Sequence, residues 1–110
     1  MTDKIVVLCT CGKEEEAGKL AHFLVEARLA ACVNIIPRVR SIYHWSGNVE
    51  ESEEWLLIIK SSRSLFGELR LAVERIHSYE VPELLELSVV DGAPNYLGWL
   101  DASLKRPDGE

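Results

Sequence analysis

The chain has 110 residues, a formal net charge of −6, 47% hydrophobic residues and 27% charged residues. That length supports one domain with one modest core, and the composition excludes an intrinsically disordered chain. The acidic balance speaks against a nucleic-acid partner, which calls for a basic patch; no apolar run is long enough to span a bilayer or serve as a secretory signal, so a cytoplasmic protein is expected.

Lys4–Cys9 (KIVVLC) is nearly all apolar and reads as a central strand covered on both faces. Gly12 supplies a turn, and Glu14, Glu15 and Glu16 sit where a helix N-terminus favours negative charge. Ala17, Leu20, Ala21, Leu24 and Ala27 then recur at helical spacing, so a first helix is predicted from Lys13 to about Leu29. Ala31–Trp45 reads as one long strand, with Val33, Ile35, Val39 and Tyr43 on one parity. Pro37 cannot donate a ladder hydrogen bond and marks an edge or a bulge. A hairpin turn at Gly47 and Asn48 leads to a return strand over Glu53–Lys60. A second helix is predicted over Leu65–His77, after the capping hydroxyls of Ser61–Ser64. The polar connector His77–Glu83 (HSYEVPE) precedes a strand over Leu84–Val90. Pro94 opens a third helix, with Tyr96, Trp99, Leu100 and Leu104 as its apolar face. From about Lys105 the polar tail is expected to fray.

The order β-α-β-β-α-β, with an added C-terminal helix, is the ferredoxin-like α+β arrangement in a single domain over residues 1–110. One element is too large for it. A strand of about 13 residues spans about 43 Å at about 3.3 Å per residue, more than two ordinary helices cover. Its outer half and return carry Ile42, Tyr43, Trp45 and Trp55, a patch that a monomer would leave in water. An obligate homo-oligomer built through this hairpin is therefore predicted; the other reading is a ribbon bent at Pro37 and closed on its own domain.

Among chemically active residues, Cys9 and Cys11 are two apart and share a strand face, where two thiols can grip a soft ion such as Cu(I). Cys11 and Cys32 equally read as small buried hydrophobes. His77 is either a favourable charge at a helix C-terminus or a metal ligand. Glu80 and Glu83 are a carboxylate pair or two solvated acids, and Tyr79 presents its hydroxyl to a cleft or simply packs. No phosphate-binding glycine loop, zinc-protease helix, Cys-x-x-Cys or nucleophile elbow occurs, and no enzymatic activity is expected.

Val6–Thr10 (VVLCT), Leu29–Pro37 (LAACVNIIP), Ser41–Gly47 (SIYHWSG), His77–Leu87 (HSYEVPELLEL) and Tyr96–Leu100 (YLGWL), in this order, resemble the CutA-type divalent-cation tolerance family. The resemblance implies a ferredoxin-like subunit in a tight trimer joined through its long strands, and binding of copper or another divalent metal. The family's ligand set, a cysteine ending the first strand and two adjacent histidines, carries over as Cys9 and His77, with Glu80 or water as a further donor. The first histidine falls at Ile76, which cannot ligate, and Ser78 stands where the family has proline. The trimer also resembles that of the PII signalling proteins. That likeness implies an alternative role as a sensor or scaffold, whose inter-subunit cleft would be lined by Tyr43, Trp45, Lys60, Tyr79 and Glu83.

Overall fold

The computed structural model describes residues 2–107. Four strands, β1 (Lys4–Cys11), β2 (Cys32–Trp45), β3 (Asn48–Ser62) and β4 (Leu85–Ser88), form one antiparallel sheet in the order β2-β3-β1-β4. Helices α1 (Glu14–Glu26) and α2 (Phe66–Ile76) connect them, a short 3-10 turn (Arg63–Leu65) leads into α2, and α3 (Pro94–Ala102) follows the sheet. This is the βαββαβ order expected, with the extra helix.

The alternation of β1 divides its side chains between two faces. Ile5, Val7, Cys9 and Cys11 are buried with Leu57 and Ile59 of β3, under Leu20 and Leu24 of α1 and Leu69 and Val73 of α2. Each aliphatic side chain so buried is worth roughly 1.5–3 kcal/mol, so this helix-covered layer holds the domain together. Helix α1 ends three residues before the predicted Leu29. Arg28, at φ 59°, takes the left-handed position; its N–H donates to Val25 O (3.0 Å), and the Leu29 N–H donates to Leu24 O (2.9 Å). This Schellman ending usually carries glycine, so the sequence shows no stop there.

The long strand is broken in phase. Ile36 opposes Leu56 and Val39 opposes Glu54, so Pro37 and Arg38 together face Trp55 in a β-bulge, with Arg38 at φ 60°. Opposed residues share a sheet face. Val33 and Ile35, opposite Ile59 and Leu57, therefore lie on the helix side, whereas Val39 and Tyr43 lie on the other. The single parity predicted for these four is corrected by the extra residue, which swaps faces for everything beyond it. The turn is Ser46 and Gly47, both at positive φ, and Asn48 already pairs with Trp45. The return strand is longer than expected because its polar first half, Asn48–Ser52, pairs fully with β2. Since within β3 only Trp55–Ser62 pair with β1, the hairpin from Val39 onward extends as a two-stranded arm of about 23 Å at about 3.3 Å per residue.

The face away from the helices is also apolar. Leu87 opposes Val6, and Leu85 opposes Leu8, which opposes Ile58; Leu85 is 57% exposed, and Ile36 and Leu87 are exposed too. Strand β4 is shorter than predicted and turns its leucines to this bare side. Helix α3 buries only Leu100; Tyr96 and Trp99, expected on its packed face, rest against each other at 5.4 Å and stay exposed. The buried Lys4 ammonium fastens α3 to β1, reaching Ser62 Oγ (2.9 Å), Asp101 (2.6 Å) and Asp3 (3.0 Å). In the tail, the Lys105 N–H donates to Arg28 O and its ammonium meets Glu68; residues 108–110 lie outside the described residues.

Candidate metal cluster and adjoining cleft

Cys9 and Cys11 end β1 on its helix side, and α2 stops at Ile76 so that His77 turns inward with an extended backbone (φ −65°, ψ 141°). One ligand atom from each of these three residues lies within 4.8 Å of the others, and all three residues are buried. Cys11 Sγ is 3.7 Å from His77 Nε2. The imidazole, 0% exposed, is fully engaged: Nε2 is 2.7 Å from Thr10 O, and Nδ1 is 3.0 Å from the Tyr79 backbone nitrogen. A carbonyl only accepts and a backbone N–H only donates, so the neutral ring carries its proton on Nε2. The neighbouring Cys11 thiol, followed by burial, pushes the Cys9 thiol well above the ordinary thiol range.

Glu16 of α1 closes the cluster. Its Oε2 accepts the Ser78 N–H at 3.0 Å, and its Oε1, buried without a hydrogen-bond partner among the described residues, is 3.9 Å from His77 Nδ1. These bonds fold the Ser78–Tyr79 backbone over His77 and send Glu80 away from the thiols into a cleft. Glu80, read as a further donor, is therefore outside the cluster, and Cys11 occupies that place. The set of two thiols and one imidazole fits a soft ion such as Cu(I).

On the bare side of the sheet, beyond the end of β1, lies an open cleft of about 630 Å³. The bulge turns Tyr43 and Trp45 toward it, and the connector supplies Tyr79, Glu80 and Glu83. The Tyr79 hydroxyl donates to Glu54 Oε2 at 2.7 Å. Its ring passes so close to Gly12 that a Cβ there would lie 2.8 Å from the phenol oxygen, hence glycine at that position. Burial, then the bond to Glu54, raises the Tyr79 phenol above its ordinary range; burial, then the charge of Glu54, raises the Glu83 carboxyl. Glu54 itself, only 7% exposed, was not singled out from the sequence, where it sits in the acidic run Glu50–Glu54. Lys60 lies elsewhere, opposite Val6 and Cys32 and bonded to Asn34 Oδ1. Trp55 opposes Cys11 and packs on the chain's own core, whereas Ile42, Tyr43 and Trp45 are exposed.

Residues 5–103 match the model of the CutA1 divalent ion tolerance protein family. The chain belongs to this family. It is 47% identical over 95 residues, covering 86% of this chain and 92% of the other, to the divalent-cation tolerance protein CutA of Thermus thermophilus. The solved Cut A1 structure from that organism superposes with a TM-score of 0.90 at 44% identity, over 93% of this chain and 99% of the other. A family member from Archaeoglobus fulgidus, described as periplasmic, gives a TM-score of 0.90 at 33% identity, over 93% of this chain and 99% of that one. Among the described residues, no helix is long and apolar enough to cross a membrane.

Proposed function

We propose that the chain is a homotrimeric divalent-cation tolerance protein that binds copper or another divalent metal and acts in metal homeostasis. The observation that carries the metal reading is the convergence of Cys9, Cys11 and His77 within 4.8 Å. These side chains would hold the ion, whose chemistry when bound is tight coordination by soft donors. Cys11, from β1, would stand in for the histidine position taken by the exposed Ile76. The role is binding rather than catalysis, since the sequence carries no nucleophile motif. The free thiols suit the reducing cytoplasm, where we place it. Copper titration by calorimetry tests the site: Cys9→Ser and His77→Ala are expected to weaken binding roughly tenfold or more, and unchanged affinity in both removes it.

The trimer is supported by two exposed apolar surfaces, the bare sheet face with Leu85 and Leu87 and the arm with Ile42, Tyr43 and Trp45. Light scattering is expected to give the mass of three chains; a folded single chain at dilute concentration overturns it. A second reading, a PII-like sensor that takes a small ligand between subunits, is favoured by the 630 Å³ cleft beside the arm.

A further inference from the structure

The cleft is chemically one-sided. Within one chain, three carboxylates, Glu54, Glu80 and Glu83, line it, and among the described residues no lysine, arginine or histidine does. Glu54 is more than nine-tenths buried; one oxygen accepts the Tyr79 hydroxyl, and no cation pairs with the carboxylate among the described residues. A carboxylate taken this far out of water is costly unless a positive charge meets it. The lining around it is otherwise mainly apolar, with the rings of Tyr43, Trp45 and Tyr79. Aromatic faces attract an ammonium group and give a hydrated metal ion little to coordinate.

We propose that this cleft binds an organic cation, an alkylammonium compound held between the aromatic rings with its charge against Glu54 and Glu83. This rests on the second reading above and names its ligand class. The raised Glu83 carboxyl agrees with a site that has more negative charge than it can hold alone. The Cys9 and Cys11 thiols point to the opposite face of the sheet, but His77 accepts the Tyr79 N–H and its ring lies 4.7 Å from that of Tyr79, so the two sites adjoin and chelated, metal-free protein is needed to test the cleft alone.

Tetramethylammonium chloride is titrated into metal-free protein with chelator present, followed by tryptophan fluorescence and by ring-proton shifts. Tert-butanol, acetate and calcium serve as neutral, anionic and hard-cation comparisons. Saturable binding of the ammonium, roughly tenfold tighter than of tert-butanol and weakened by a similar factor in Glu54→Gln, is expected. Glu83→Gln, at an exposed position, supplies the same test if the buried substitution disturbs folding. Equal affinity for tert-butanol, or unchanged affinity in both glutamine variants, overturns the proposal. Saturable binding of acetate, tert-butanol or calcium without ammonium binding overturns the ligand class but keeps a small-ligand cleft. No response to any of the four overturns the cleft reading as well, and leaves the metal cluster to its own titration.

Discussion

The two faces of this sheet are built from the same strands and much the same residue types, yet only one is covered. On one side Ile5, Val7, Leu57 and Ile59 meet α1 and α2 and lose all contact with water. On the other, Leu85, Leu87 and Ile36 keep much of their surface exposed, and in the arm beyond them Ile42, Tyr43, Trp45 and Val49 are exposed as well. The covered face accounts for the stability of the domain and holds Cys9, Cys11 and His77; the bare one is the face to which the proposed assembly and cleft belong. Hydrophobicity alone does not tell them apart, because burial depends on which helices the connections place overhead.

Substitutions on the two faces sharpen this contrast. Leu57→Ala is expected to cost about 2–5 kcal/mol in denaturant unfolding, because it opens a cavity under both helices. Leu87→Asp should instead lower the mass seen by light scattering while leaving the circular dichroism of the subunit intact; an unchanged mass breaks the assignment of the bare face to assembly. Gly12→Ala acts at the junction of the faces. Its methyl would displace the Tyr79 phenol and release Glu54, with an expected loss of about 1–3 kcal/mol, as for an overpacked or unsatisfied buried group. Arg38→Gly should stabilise by about 1 kcal/mol in the same unfolding assay, by relieving a left-handed backbone without touching either face.

The smallest effect is electrostatic. Lys4 holds the Asp101 carboxyl below its ordinary range. The contribution of this pair is therefore complete above the unfolded carboxylate value of about 3.9 and lost as pH falls through the lower folded value. With Asp101 mostly exposed, this amounts to less than about 1 kcal/mol. Asp101→Asn should flatten that part of the stability–pH curve in acid, and an identical curve would show that the link does not hold α3.

Much of the fold was legible because its signals are local. The run Lys4–Cys9, the helical stripes of Ala17–Leu24 and Leu65–Val73, and the turn at Gly47 each announce their element. The misses have physical causes. Arg28 ends a helix from a position where glycine is the usual sign, and Asn48–Ser52 forms strand through pairing with β2 while carrying no apolar pattern. Pro37 did signal a bulge or edge, but not that Tyr43 would change faces. Of the candidate site, Cys9 and His77 were readable from resemblance, and Cys11 from its spacing with Cys9. Glu54 was not, because its burial depends on Tyr79 arriving from a loop 25 positions along the chain.

The slack at Pro37–Arg38 has one more consequence. It makes β2 a single strand written in two reading phases, the inner for the helices and the outer for the cleft. Losing one residue there would restore a regular ladder and carry every ring of the outer half to the wrong side at a stroke. Length changes nearer the tip are safe only when matched across the turn. The arm's reach is thus set at its tip, while its aim depends on one surplus residue at its base.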